Sequence, residues 1–161
     1  MYFDGPAQKA RAMLQKFWTG KAPPVDPFAI AMSAGALIER LPFNSELSGS
    51  FDLQANGVPV IKYNFHETSN RQRFTVAHEI GHWVLGHGPA QRDPARNLSL
   101  NNYSPKEIEA NAFAAELLMP SDWMRFAVFD RGSTSIAQLS QQFGVSEVAM
   151  RYRLSNLGII S

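Results

Sequence analysis

The feature that most constrains this chain is a helical apolar pattern that also contains three ionisable side chains. Apolar residues recur at helical spacing between Ser69 and Gly88, which predicts one long and largely buried helix. The same segment contains the run His78-Glu79-Ile80-Gly81-His82. Burying two histidines and a glutamate is costly unless each has a partner. The fold must therefore supply a partner for these side chains inside the protein.

Two histidines four residues apart indicate what that partner is. On a helix their rings project from one face, so both His78 and His82 can reach a single metal ion. Glu79 projects in a neighbouring direction, where it can act on water without binding the metal. Zinc activates a water molecule in sites of this kind, and we predict that Glu79 takes its proton as the catalytic base. The motif therefore predicts a zinc-dependent metallopeptidase.

A catalytic zinc ion needs a third protein ligand and an open coordination position. The chain has no cysteine, so the third ligand must be a histidine or a carboxylate. His66 is expected to pack at the end of a hairpin, and His87 is expected to lie off the ligand face of the helix. The next predicted helix offers Glu107, Glu109 and Glu116 as ligands, of which Glu116 is expected to face solvent.

The rest of the chain divides into helical and extended parts around this motif. Asp26-Pro27 predicts the start of a second helix that runs to about Leu41. Asn56-Gly57 lies between two strand-like segments, which predicts a hairpin. Ser104-Pro105-Lys106-Glu107 predicts the capped start of a helix that runs to Met119. The predicted parts are N-terminal helices in 1–45, a β-hairpin in 46–66, zinc-site helices in 67–120 and a helical cap in 121–161.

This order of elements predicts an α+β fold in a single domain that spans residues 1–161. A small antiparallel sheet is expected to pack on the helix with the HExxH motif, and a helical half follows. With 161 residues, of which 45% are hydrophobic, the chain is long enough to bury a core. The N-terminus lacks the pattern of a secretory signal, and the longest apolar stretch is too short to span a bilayer. We therefore expect a cytoplasmic protein without membrane contact.

The charge balance argues against nucleic acid as the main partner. The chain has 15 basic and 14 acidic residues, whereas proteins that bind nucleic acid through phosphates usually carry a larger basic excess. The spacing around Gly144-Val145-Ser146 fits a helix-turn-helix whose exposed residues would include Glu147, Arg151 and Arg153. Two arginines beside a glutamate make only a thin basic surface. We interpret these helices as a packed cap and expect no direct DNA binding.

Three blocks of the sequence resemble the ImmA/IrrE family of metallopeptidases. They are RQRFTVAHEIGH at 71–82, EIEANAFAAELLMP at 107–120 and the ending SIAQLSQQFGVSEVAMRYRLSNLGII. The resemblance extends from about residue 25 to residue 160, and it implies a minimal zincin core of the gluzincin type. Arg71 and Arg73 in the first block have two open interpretations, as surface charges or as structural or substrate contacts.

The resemblance also implies roles for residues outside the first motif. Gluzincins use Glu-x-x-x-Asp on the second helix, and here Glu107-x-x-x-Asn111 matches with Asn in place of Asp. Glu107 is thus expected to be the third ligand, with Glu109 as its rival. Asn111 is expected to orient His78. Tyr103 could contact an oxyanion, although packing is the simpler role.

Members of this family act as site-specific peptidases that cleave a cognate helix-turn-helix repressor. The resemblance implies a protein substrate of this kind, and hence an antirepressor of a prophage, mobile element, stress response or toxin–antitoxin-like pair. The alternative is a non-catalytic, zinc-stabilised regulatory module that binds a protein partner or operator DNA. Glu79 favours the enzyme, because a structural zinc site needs no base beside an open coordination position.

Overall fold

The computed structural model describes residues 5–92, 104–133 and 135–161, which contain seven helices and four strands. The helices are α1 (Gly5–Phe17), α2 (Pro27–Ser33), α3 (Ser69–Val84), α4 (Pro105–Leu118), α5 (Ser121–Arg125), α6 (Ile136–Phe143) and α7 (Glu147–Asn156), and α5 continues into a wider turn, Phe126–Asp130. The strands are β1 (Leu37–Arg40), β2 (Gly49–Leu53), β3 (Pro59–Tyr63) and β4 (Ala90–Arg92). None of these helices has the length and apolar character needed to cross a bilayer. The predicted α+β class is confirmed.

The four strands form one mixed sheet in the order β1-β3-β2-β4. β2 and β3 are the predicted antiparallel hairpin, and in its turn the Oδ1 of Asn56 accepts a hydrogen bond from the backbone N–H of Val58. β4 pairs antiparallel with the other side of β2, and β1 pairs in parallel with β3. The sheet is therefore larger than the predicted hairpin, and it is not purely antiparallel.

The prediction that the second helix runs to Leu41 is wrong. α2 begins after its predicted cap, Asp26, but it ends at Ser33. Leu37–Arg40 instead pair with residues 60–63 of β3. The partner strand of a parallel pair lies far away in the sequence, so the local spacing of apolar residues gives no sign of the pairing.

α3 is the central helix of the domain. It contacts β2 and β3 of the sheet and packs against α2 and α4, while α1 packs mainly on α4. The half of α3 from Thr75 to His82 is buried. The large, fully buried apolar side chains of the core include Ile30, Ile61, Ile80, Phe113, Leu117 and Leu118. The HExxH residues therefore lie in the apolar centre of the protein.

Two arginines connect the C-terminal helical region to α3 and α4 through hydrogen bonds and an ion pair. Arg73 of α3 donates hydrogen bonds to the carbonyl oxygens of Val25 and Gly144, so it makes a structural contact. Arg153 of α7 pairs with Glu116 of α4 at 2.5 Å, and both side chains are largely buried. The expectation that Glu116 faces solvent is therefore wrong, and Arg153 does not have the exposed position that a helix-turn-helix would give it.

Candidate metal centre

α3 brings the side chains of the HExxH motif together inside the protein. His78, Glu79 and His82 are each at most 1% exposed, and their potential ligand atoms lie within 4.8 Å of one another. The Nε2 atoms of His78 and His82 face each other at 3.0 Å. Residues four apart on a helix share one face, which explains this approach. The two imidazoles point into a common volume.

α4 places a carboxylate beside the two histidines. The hydroxyl of Ser104 caps this helix by accepting a hydrogen bond from the backbone N–H of Glu107, so Glu107 lies in the first turn. Its Oε2 lies 2.7 Å from Nε2 of His82, and its Oε1 lies 3.3 Å from Nε2 of His78. Two imidazole nitrogens and one carboxylate therefore meet where α3 and α4 pack together.

Asn111 lies one turn after Glu107 on α4 and contacts the other nitrogen of His78. The Oδ1 of Asn111 is 2.8 Å from Nδ1 of His78. An amide oxygen can only accept a hydrogen bond, so Nδ1 carries the proton in this pair. Nε2 is then left with its lone pair, which a histidine needs in order to bind a metal ion.

His87 lies against the ring of His82 instead of continuing the helix away from it, because α3 ends at Val84 and not at Gly88 as predicted. Its Nδ1 is 2.9 Å from Nδ1 of His82, and its Nε2 is 2.7 Å from Oε1 of Glu109. Glu109 therefore contacts His87, whereas Glu107 contacts the pair formed by His78 and His82. The sequence prediction missed this contact of His87, although Gly86 is a typical residue at a helix end.

Glu79 is the buried acid of the site. Neither of its carboxylate oxygens has a hydrogen-bond partner among the described residues. Burial raises the pKa of Glu79 well above its ordinary value, and the positive charge of Arg92 opposes this shift. A buried carboxyl without partners is costly to the fold. Groups of this kind cluster at functional sites.

The pKa shifts of His78 and Glu107 favour a neutral imidazole beside an ionised carboxylate. Burial lowers the pKa of His78 to about 4, although the adjacent carboxylate of Glu107 acts in the opposite direction. Partial burial acts to raise the pKa of Glu107, but the close contacts with His78 and His82 outweigh it and hold that pKa below its ordinary value. Neutral imidazole and ionised carboxylate are the forms that bind metal ions.

The remaining residues singled out in the sequence have other surroundings. His66 packs against the rings of Phe43 and Phe65, with ring centroids 4.7 and 4.2 Å away. Arg71 makes a partly exposed ion pair at 3.4 Å with a glutamate four residues earlier. Tyr103 lies outside the described residues.

Known proteins share both the sequence pattern and the fold. The model of a peptidase family described as the IrrE N-terminal-like domain matches residues 31–155. The chain is also similar to Metallopeptidase ImmA of Bacillus subtilis (strain 168), with 30% identity over 115 residues. That alignment covers 67% of this chain and 68% of the relative.

A solved structure resembles nearly the whole of this fold. It is a Mycobacterium tuberculosis transcriptional regulator, with a TM-score of 0.62 and 16% sequence identity. The match covers 94% of this chain but only 46% of that protein, and at this identity it concerns the fold alone. The family match and the relative, together with the HExxH side chains gathered on α3, lead to one conclusion. The chain belongs to the ImmA/IrrE family, and it is a metallopeptidase.

Proposed function

We propose that this protein is a zinc-dependent, site-specific peptidase that cleaves a helix-turn-helix repressor. The observation that carries the proposal is the convergence of His78, His82 and Glu107 beside the buried carboxyl of Glu79. A structural zinc site uses four protein ligands, whereas a catalytic site uses three and leaves one position open. Three donors beside a buried acid fit the catalytic type.

The donor set fits a zinc ion. Ligand atoms about 2.0–2.2 Å from a tetrahedral zinc ion lie about 3.3–3.6 Å from each other. The two imidazole Nε2 atoms are 3.0 Å apart, and the carboxylate oxygens of Glu107 lie 2.7 Å from Nε2 of His82 and 3.3 Å from Nε2 of His78, so small movements of the side chains would accommodate the ion. Two imidazoles and a carboxylate can also bind manganese or iron, and the metal therefore has to be identified directly.

Each residue of the site has a definite part in peptide hydrolysis. Zinc, when bound, would supply the Lewis acid that activates water and polarises the substrate carbonyl. Glu79 would take the proton of the attacking water and pass it to the leaving amine nitrogen. Both carboxylate oxygens of Glu79 are buried and have no hydrogen-bond partner among the described residues, so they are available to accept that proton. Asn111 would keep His78 in the tautomer that presents Nε2.

The sheet offers a place for an extended substrate. Among the described residues, β4 pairs with β2 on one side only, so its other edge has backbone groups available for pairing. Arg92 at the end of β4 lies opposite Gly49, where a Cβ atom would be 3.7 Å from Cγ of Glu79. A peptide added to this edge as a further strand would lie two strand spacings, about 10 Å, from the backbone of Gly49.

The repressor as substrate rests on membership of the ImmA/IrrE family. Strand pairing at β4 requires an extended and accessible segment, so cleavage would be restricted to such a segment of a folded partner. The alternative of a DNA-binding module has less support, because Arg153 is engaged by Glu116 instead of facing solvent. Cleavage of a protein substrate is therefore the function that we test.

The experiment combines metal analysis with cleavage. Wild-type protein, Glu79→Gln and Glu107→Gln are analysed for bound metal and then incubated with the repressor encoded beside the gene. The products are identified by mass spectrometry. We expect about one zinc ion per chain in the wild type and in Glu79→Gln, and none in Glu107→Gln. Only the wild type should cut the repressor, and it should do so at one bond.

Each other outcome corrects a defined part of the proposal. Absence of stoichiometric metal from the wild type would overturn the metal site. Stoichiometric manganese or iron would replace zinc as the metal. Cleavage of unrelated unfolded proteins at many bonds would overturn site specificity, and an intact repressor beside an active, metal-loaded enzyme would overturn the substrate.

A further inference from the structure

The position of His87 follows from the way in which α3 ends. Gly86 has a left-handed φ of +74°, and its backbone N–H donates to the carbonyl oxygen of Trp83 at 3.1 Å. The backbone N–H of His87 donates to the carbonyl oxygen of His82 at 3.0 Å. These two bonds form a Schellman motif, which turns the chain back over the last turn of the helix. The ring of His87 consequently returns to the ring of His82, with centroids 5.1 Å apart.

The hydrogen bonds around His87 have one self-consistent direction when His82 presents Nε2 to a metal. The proton of His82 is then on Nδ1, from which it is donated to Nδ1 of His87 at 2.9 Å. The proton of His87 must then be on Nε2, from which it is donated to Oε1 of Glu109 at 2.7 Å. Every polar atom on this path has a partner of the correct kind.

We propose that His87 and Glu109 are positioning residues for the metal site, which act on His82 through this hydrogen-bonded chain. The inference deepens the proposed function and rests on the metal site that it includes. By accepting the Nδ1 proton, His87 would fix the tautomer and ring orientation of His82 and raise the basicity of its Nε2. Glu109, which is half exposed on α4, would polarise His87 in the same direction.

The surroundings of His87 fit this role better than that of a ligand or a surface residue. Its side chain is only 7% exposed, although it lies beyond the end of the helix. Lys106 of α4 also donates a hydrogen bond to its carbonyl oxygen at 3.4 Å. Both ring nitrogens are engaged, so neither is directed at the volume shared by His78 and His82. Nδ1 of His78 is hydrogen-bonded to Asn111 of α4, and Nδ1 of His82 is hydrogen-bonded to His87. The outer nitrogen of each motif histidine therefore has a hydrogen-bond partner.

Zinc affinity is the measurement that tests the proposal. The Kd for zinc is measured by chelator competition for the wild type, His87→Phe, His87→Gln and Glu109→Gln, with Ile108→Ala on the exposed side of α4 as the control. We expect the Kd to rise about 10-fold or more in His87→Phe. The rise should be smaller in His87→Gln and Glu109→Gln, because their amide oxygens can still accept a hydrogen bond. Combining Glu109→Gln with His87→Phe should add no further loss, because Glu109 acts through His87.

Thermal unfolding with and without zinc separates positioning from a purely structural role. A positioning role reduces the increase in Tm that zinc produces. A lower Tm of the metal-free variants with an unchanged zinc-dependent increase would overturn the proposal, as would an unchanged Kd in His87→Phe. Loss of zinc from Glu109→Gln with retention in Glu107→Gln would make Glu109 a ligand and also overturn it. Failure of the wild type to bind zinc would overturn the metal site itself, so the two failures are distinguishable.

Discussion

Gly81 of α3 lies directly against Ala110 of α4. A Cβ atom at position 81 would be 3.2 Å from both the Cα and the carbonyl oxygen of Ala110, and equally close to Cβ of Phe113. The absence of a side chain is therefore what allows the two helices to approach. Since His82 follows Gly81 and Glu107 lies one turn before Ala110, this contact also sets the separation of the histidine pair from the carboxylate.

The substitution Gly81→Ala should therefore weaken both the fold and the site. Alanine in a helix is about 1 kcal/mol more favourable than glycine, but overpacking against a neighbouring backbone costs about 1–3 kcal/mol. A larger separation of α3 from α4 would also move the histidine pair away from Glu107, so we expect lower stability and weaker zinc binding. Chemical denaturation and chelator competition measure the two effects. Gly5→Ala, with open space around it, is the control, and equal behaviour of the two variants would contradict the prediction.

Substitutions of Asn111 should separate the effect of its hydrogen bond from the effect of an added negative charge. Asn111→Leu removes the acceptor that lies 2.8 Å from Nδ1 of His78, so we expect zinc affinity to fall about 10–100-fold. Asn111→Asp keeps an acceptor and adds negative charge, which strengthens the hydrogen bond. This variant should bind zinc at least as tightly as the wild type. Calorimetric titration at neutral pH would contradict the assigned role if the Asp variant bound as weakly as the Leu variant.

Loss of Arg153 should destabilise the protein strongly. Its guanidinium pairs with the buried Glu116 at 2.5 Å and donates to the carbonyl oxygen of Met119 at 3.0 Å. Arg11 lies 3.8 Å from the other carboxylate oxygen and can compensate only in part. We expect Arg153→Ala to cost about 3–5 kcal/mol in urea denaturation. Arg151→Ala, on the exposed side of the same helix, should change stability by less than about 0.5 kcal/mol. Similar losses in the two variants would contradict the prediction.

Short-range signals explain which elements could be predicted from the sequence. The apolar spacing of α3, the Ser104 cap of α4 and the Asn56-Gly57 turn each involve residues a few positions apart. β1 depends instead on a parallel partner far along the chain. For the same reason Glu116 looked like a solvent-facing residue, because its partner Arg153 is 37 residues away.

The metal centre shows the same limit. Helical spacing was enough to pair His78 with His82, since both lie on one helix. It could not choose between Glu107 and Glu109, because that choice depends on how α4 is rotated against α3. The structure brings Glu107 to the histidine pair and leaves Glu109 with His87. The early end of α3 that places His87 there is likewise fixed by backbone conformation at a single glycine.

Glu79 should lower the stability of the metal-free protein. It is fully buried, its oxygens have no hydrogen-bond partner among the described residues, and burial raises its pKa. In the unfolded chain this carboxyl ionises near its ordinary pKa of about 4.3. Between that pH and the raised pKa, the folded state holds more protons than the unfolded state. The stability of the metal-free protein therefore falls as the pH rises through the raised pKa.

The substitution Glu79→Gln removes this dependence while keeping the shape of the side chain. The metal-free variant should be more stable than the wild type at pH 8, by about 1–3 kcal/mol, and the difference should vanish below about pH 4. The pH dependence that His78 contributes is common to both proteins and cancels in the comparison. Thermal unfolding at the two pH values measures the effect, and equal stability at pH 8 would contradict a costly buried carboxylate. Because the same substitution should abolish cleavage, stability and activity are expected to change in opposite directions.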